Sequence, residues 1–203
     1  MKQWRKWTGL ILLAAVVGLM LAFAFTAVVR SRRNGASITL DQAVESVRQY
    51  LTSYGYQGLV LTEVMEFSDN YYAEVEEEST NIHAFELLID RFTGEVYPEP
   101  GPNMMWNTRY GHMGGMMAGW ERRQVETISI TPDQARDIAQ RWLEKFMPGV
   151  STAEQVESFY GYYTIHVLKE GQVDGMLSVN GYTGQVWYHT WHGDFIGMKE
   201  LEE

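Results

Sequence analysis

The chain has 203 residues, 45% of them hydrophobic and 13% aromatic, which is enough to pack a core and too many for a disordered chain. Its net charge of −10 is unevenly placed: residues 1–33 hold six basic and no acidic side chains, so the remainder, 10 basic against 26 acidic, stands at −16 and offers no cationic patch for nucleic acid or anionic lipid. Cysteine is absent, which excludes disulfides, thiolate catalysis, Cys-ligated zinc, iron–sulfur clusters and covalently attached haem.

Residues 8–29 are 22 consecutive uncharged positions rich in Leu, Ala, Val and Phe. About 20 apolar helical residues cross a ~30 Å hydrocarbon layer, so this segment predicts one transmembrane helix. Lys2, Arg5 and Lys6 precede it and Arg30, Arg32 and Arg33 follow, a near balance that the free amino terminus tips towards a cytoplasmic N-terminus. Trp4 and Trp7 suit an interfacial belt on that side. The alternative is a cleaved secretory signal, because Ala22, Phe23 and Ala24 place small residues at signal-peptidase spacing. Either way the body is expected outside the cytoplasm. The expected organisation is a stub and anchor over 1–33, a first folded unit over 36–98, a linker over 99–127 and a second unit over 128–198.

Two motifs repeat. Ile38, Thr39, Leu40, Asp41, Gln42 and Ala43 recur as Ile130, Thr131, Pro132, Asp133, Gln134 and Ala135, 92 residues later. Asp90, Arg91, Phe92, Thr93, Gly94, Glu95 and Val96 recur as Asn180, Gly181, Tyr182, Thr183, Gly184, Gln185 and Val186, 90 residues later. Two matches at nearly one offset predict an internal duplication. Each first motif has the chemistry of a helix start: Thr at the N-cap, Gln three positions on, and in the second copy Pro at the first helical position. Apolar residues then follow helical spacing, as Ala43, Val47, Tyr50, Leu51 and Tyr54, and as Ala135, Ile138, Ala139, Trp142 and Phe146. Strands are predicted at 59–67, 71–76 and 82–89 in the first copy and at 157–168 and 176–179 in the second. Each second motif sets Thr-Gly between apolar segments, where glycine supplies the positive φ of a tight turn. The predicted fold is α+β: two tandem units, each a helix followed by antiparallel strands, behind the N-terminal transmembrane helix.

The Ile-Thr-x-Asp-Gln-Ala helix start, the tyrosine-rich middle strands and the closing Asp/Asn-x-Tyr/Phe-Thr-Gly-x-Val turn resemble the PepSY domain family in both copies. The resemblance implies an extracytoplasmic, non-catalytic α+β module of the kind found in peptidase propeptides, where it is associated with inhibition, and in membrane-anchored bacterial proteins. It carries no catalytic residues. Glu76, Glu77 and Glu78 depart from the pattern where an alternating strand would continue, which predicts a solvent-facing or truncated edge.

Two other runs draw notice. Five of the eleven Met residues, Met104, Met105, Met113, Met116 and Met117, fall within fourteen positions of the linker beside His112. Thioether and imidazole suit Cu(I) or Ag(I), so these six residues are the candidate metal ligands and copper the one candidate cofactor. The other reading is that Met and Trp plug gaps where the linker meets the sheets, the membrane or a partner. In the run 187–195, His189, His192 and Asp194 offer a zinc or iron donor set, whereas an extended strand would point the two imidazoles to opposite faces and leave them bonded locally. His83 and His166 read as structural histidines within strands. Asp90 and Asn180 read as turn-stabilising side chains. The carboxylates around Glu74 and Glu200 read as solvated clusters, and no catalytic motif or phosphate loop is present, so no enzyme is expected. The expected function is a membrane-anchored, extracytoplasmic, non-catalytic binding or regulatory module, its partner an exported peptidase or a membrane complex. The alternative is an extracytoplasmic metal-binding protein that uses the linker.

Overall fold

The computed structural model describes residues 36–111 and 128–201, and Ile38–Glu203 forms one compact unit. The segment expected to span the membrane lies outside the described residues; among those described, no helix is long and apolar enough to cross one. The described helices are α1 (Leu40–Ser53), α2 (Pro102–Met105) and α3 (Pro132–Phe146). The described strands are β1 (Leu59–Phe67), β2 (Asn70–Glu77), β3 (Ile82–Asp90), β4 (Val96–Pro98), β5 (Val150–Thr152), β6 (Glu157–Phe159), β7 (Tyr162–Lys169), β8 (Gln172–Asn180), β9 (Val186–Tyr188) and β10 (Phe195–Glu200).

The helix starts follow from short-range chemistry. Thr39 and Thr131 sit in extended backbone and close reciprocal capping boxes: each Thr hydroxyl accepts from the Gln N–H three residues on, at 3.2 and 3.3 Å, and each Gln carbonyl accepts from the Thr N–H, at 2.8 and 2.9 Å. Two otherwise orphaned donors are thereby satisfied, an effect of about 0.5–2 kcal/mol per cap. Both starts are then pinned to the strands in the same way. Tyr71 of β2 donates its hydroxyl to the Ile38 carbonyl, and Tyr163 of β7 donates to the Ile130 carbonyl at 2.6 Å. The turns after β3 and β8 also match: Asp90 Oδ1 accepts from the N–H groups of Phe92 and Thr93, Asn180 Oδ1 from those of Tyr182 and Thr183, and Gly94 and Gly184 both have φ of 71°.

Strand alternation sends one set of side chains to each helix. Tyr71, Ala73, Val75, Leu87 and Ile89 pack with Ala43, Val44, Val47 and Leu51 of α1. Tyr163, Ile165, Val167, Leu177 and Val179 pack with Ala135, Ala139 and Leu143 of α3. The predicted apolar faces overshoot at their C-terminal ends, since Tyr54 is 68% and Phe146 56% exposed. Tyr54 is the C-cap of α1 and Phe146 the last residue of α3.

The strands form one ten-stranded mixed sheet in the order β10-β1-β2-β3-β6-β7-β8-β9, with β4 beside β3 and β5 beside β7. Neighbours are antiparallel except β3 and β6, which touch in parallel at His83 and Phe159. The predicted strand 157–168 is two strands, because Gly161, at φ 105°, turns the chain between β6 and β7; a Cβ there would lie 2.3 Å from the Trp106 carbonyl oxygen. The last strand, β10, leaves the second copy and pairs with β1 of the first, Met65 opposite Met198.

The expected edge at Glu76 to Glu78 is not found. β2 is paired on both sides, and Glu74 and Glu77 are buried. The other copy covers Glu74, whereas Glu77 is covered by Arg109, Tyr110 and Tyr160, and Glu78 is exposed in the turn after β2. The faces of β1–β3 and β7–β8 that point away from the helices pack against each other, with Met65, Phe67, Tyr72 and Leu88 against Met176 and, beyond that small apolar patch, an interior of polar side chains.

Candidate functional site

Four carboxylates and four imidazoles meet in that interior, with a fifth carboxylate, Glu157 of β6, at its edge. Glu74, Glu86, Glu99, His83, His189 and His192 are buried, and Glu63 and His166 nearly so. A charge taken out of water is tolerated only when paired or neutralised, so each group needs a named partner.

At one end, His83 bridges the two copies. Its Nδ1 lies 3.1 Å from Glu74 Oε2 and its Nε2 2.7 Å from Glu157 Oε2 on β6. Burial works against the charged ring, but the carboxylates of Glu74 and Glu157 outweigh it and hold His83 at about 10. Burial likewise opposes ionisation of Glu74, and the His83 charge overcomes it and lowers that carboxyl. His166 stands 3.5 Å from Glu63. Burial opposes its charge too, and Glu63 raises it above the usual histidine value.

At the centre, Glu86 touches three hydroxyls. Tyr162 donates to Oε2 at 2.8 Å, Thr164 donates to Oε1 at 2.8 Å, and the Tyr72 oxygen lies 2.8 Å from Oε1 and 2.7 Å from Glu74 Oε1. Tyr72 has one hydrogen for two carboxyl oxygens, so one of the two acids supplies its own. Burial, with the charges of Glu99 and Glu74, pushes Glu86 well above the ordinary carboxyl range, which makes it the protonated one.

At the far end, Glu99 follows β4 and faces His189, just past β9, and His192 in the loop before β10. Glu99 Oε1 is 3.4 Å from His189 Nδ1, 3.0 Å from His192 Nε2 and accepts from Trp191 Nε1 at 2.9 Å. Burial pushes the His192 ring below its usual value.

Of the residues predicted as metal ligands, Met104 is half-buried and Met105 is 59% exposed in α2, while His112, Met113, Met116 and Met117 lie outside the described residues. The opening of the stretch read as a linker is built into the fold: Asn103 and Asn107 are buried, and their side-chain amides donate to the carbonyls of Glu86 and Ala84 on β3 at 2.9 and 2.7 Å. His189 and His192 do come together, because β9 ends at Tyr188 and the following loop, not a strand, carries both rings. Asp194 is exposed and takes no part; Glu99, ninety positions earlier, stands where a third donor would. Sequence reading missed Glu86 and Glu99. A lone carboxylate inside the apolar run Phe85-Glu86-Leu87-Leu88 was the available signal for the first, and Glu99 had none.

The surface pocket beside this interior, about 390 Å³, is lined by Glu77, Arg109 and Tyr110 among others. Its Glu77 carboxylate is fully engaged: it accepts from Tyr110, Tyr160 and Thr80 and meets Arg109 Nη2 at 3.0 Å.

No family model and no curated protein matches the chain. Among solved structures, it is similar to the C-terminal domain of YpeB from Bacillus megaterium, with 13% identity over 75% of this chain and 62% of that one and a TM-score of 0.27. It spans less than two thirds of that chain. It is also similar to a candidate lipoprotein from Clostridium difficile 630, with 17% identity over 71% of this chain and 88% of that one and a TM-score of 0.22. Likenesses this loose carry no argument about fold or function.

Proposed function

We propose that the chain is a membrane-anchored, extracytoplasmic, PepSY-like protein that works by binding, without catalysis, and that its partner is an exported peptidase or a membrane protein complex. One observation carries the reading. Among the described residues the clustered acid and histidine side chains are enclosed, with Glu86 and Glu99 at 0% and His192 at 1% exposure, while large apolar side chains stand outside: Tyr54 at 68%, Met105 at 59%, Phe146 at 56% and Ile196 at 54%. The first set is closed to a substrate in this conformation, and aromatic side chains such as Tyr54 and Phe146 of the second supply the buried anchors of protein interfaces. The repeated helix-start and turn motifs support the PepSY likeness, and residues 8–29 support the anchor.

The location is testable cleanly because the chain has no cysteine. Ser79→Cys places one thiol at an exposed turn. A membrane-impermeant maleimide is expected to label it in intact cells; labelling only after permeabilisation contradicts an extracytoplasmic body. For binding, Tyr54→Asp and Phe146→Asp are expected to leave thermal stability nearly unchanged and to weaken association of the full chain with its partner by tenfold or more. Undiminished association in both variants removes these aromatics from the interface.

Metal handling through the linker is the second reading, favoured by the exposed thioether of Met105. Cu(I) binding by the full chain that is lost when all five linker Met residues become Leu would support it, since that exchange nearly conserves volume. Cu(I) binding that survives the exchange would remove it.

A further inference from the structure

Glu99 Oε2, His189 Nδ1 and His192 Nε2 are buried with no hydrogen-bond partner, as are Glu63 Oε1, His83 Nδ1 and His166 Nε2, although His189 Nδ1 and His192 Nε2 stand within 3.4 Å of Glu99 Oε1. The Glu99 group differs in that both of its rings are held through the outer nitrogen by an uncharged side chain. The outer nitrogens explain this. Asn70 donates its amide to the Trp191 carbonyl at 2.8 Å, which turns Asn70 Oδ1 towards His192 Nδ1 at 2.8 Å and puts the ring hydrogen on Nδ1. Thr164 gives its hydrogen to Glu86, so Ser178, 3.0 Å away, donates to Thr164 and accepts from His189 Nε2 at 2.9 Å. Both inward nitrogens are then bare lone pairs facing a carboxylate. Three acceptors converge, and the one hydrogen bond the group receives is from Trp191 Nε1 to Glu99 Oε1.

We infer that Glu99, His189 and His192 form a binding site for one divalent first-row transition-metal ion. Two imidazoles and a carboxylate are a borderline donor set suited to Zn(II), Fe(II) and their neighbours, distinct from the soft thioethers that Cu(I) takes. The spacing fits: donors held 2.0–2.1 Å from one ion lie roughly 2.9–3.4 Å apart, and Glu99 Oε1 is 3.0 and 3.4 Å from the two nitrogens. All three donors are already oriented. Each imidazole is held through its other nitrogen, the arrangement that fixes a ligating histidine, and the rings are packed by aromatics, His189 on Trp191 at 4.8 Å and His192 on Phe67 at 4.6 Å between centroids. The backbones are tied too, Glu99 N–H to the Glu86 carbonyl and His189 N–H to the Met176 carbonyl, both at 3.0 Å. An ion here joins the segment after β4 to the loop after β9, and so clasps the two copies.

The test uses the full chain in detergent, stripped with a chelator and titrated with Zn(II) against a competing chromophoric chelator, followed by X-ray absorption of the zinc-loaded chain. One equivalent is expected to bind in a shell of nitrogen and oxygen that includes imidazole, and to be retained when the five linker Met residues become Leu and His112 becomes Gln. Affinity is expected to fall about 10–100-fold in Asn70→Ala and Ser178→Ala, which loosen the imidazoles, and further in His192→Gln. Three results overturn the inference: no Zn(II) bound by the folded chain, which leaves a shared proton as the occupant; a sulfur shell, which places the ion at the linker; or unchanged affinity in both His189→Gln and His192→Gln. The absorption shell of the unsubstituted chain decides the matter even where a variant fails to fold.

Discussion

His83→Ala is expected to destabilise the fold by about 3–5 kcal/mol at neutral pH, the usual effect of removing one partner from a buried ion pair. The ring neutralises Glu74 within its own copy and Glu157 in the other, at 3.1 and 2.7 Å, and packs on Phe159 at 5.0 Å between centroids. Its removal takes the ion-pair partner from the buried Glu74 and the part-buried Glu157 where β3 meets β6, and leaves Glu74 only the more distant charge of His166. The pH dependence has a definite sign. His83 is held at about 10 against an ordinary 6.5, so the folded chain keeps a proton that the unfolded chain releases. The contribution is therefore fully present below about pH 6.5 and is lost as pH rises through about 10, at roughly 1.4 kcal/mol per pH unit between them. Urea midpoints at pH 6, 8 and 10 are expected to fall steeply in the unsubstituted chain and less in His83→Ala. Equal slopes would mean that the ring is not charged in the folded state.

Glu86→Leu is expected to be the second large effect, about 2–4 kcal/mol destabilising, although it replaces an acid in the interior with an apolar side chain. The hydroxyls of Tyr162 and Thr164 lose their acceptor, and each buried group left unpaired costs about 1–3 kcal/mol. Thr164 retains Ser178, 3.0 Å away, whereas Tyr162 is left with Asn103 Oδ1 at 3.5 Å, so most of the loss falls on Tyr162. Glu86→Gln keeps an uncharged acceptor of the same shape and is expected to lose only about 1 kcal/mol. The comparison reads out the protonation of Glu86 directly: a glutamine variant as unstable as the leucine variant would mean that the native side chain is ionised.

What was legible in the sequence is what short-range chemistry decides. Thr39 with Gln42, Thr131 with Gln134, Asp90 with Thr93 and Asn180 with Thr183 are contacts three residues apart, and their residue types announce them. The α+β class followed, because a 3.6-residue stripe and a two-residue alternation were each visible. The interior was hidden by the same alternation. Glu74 and Glu86 on one copy and Thr164 and His166 on the other occupy the face that an isolated sheet turns to water, so Glu74 reads as solvated, His166 as a locally satisfied strand histidine, and Glu86 and Thr164 carry no signal. They are buried because the copies cover each other, through contacts such as Tyr162 to Glu86 that span 76 positions. The path of β10 back to β1 was unreadable for the same reason: its partner, at Met65, lies 133 positions away from Met198.

Nitrogen NMR of the histidine rings in the full chain, followed against pH, tests the enclosed acid–histidine interior most directly. At pH 8 the His83 ring is predicted to remain protonated, releasing its proton only near 10, and the His166 ring to titrate above the ordinary histidine value, while His192 is neutral with its hydrogen on Nδ1. Rings that instead all deprotonate together near 6.5, as solvent-exposed imidazoles do, would contradict it.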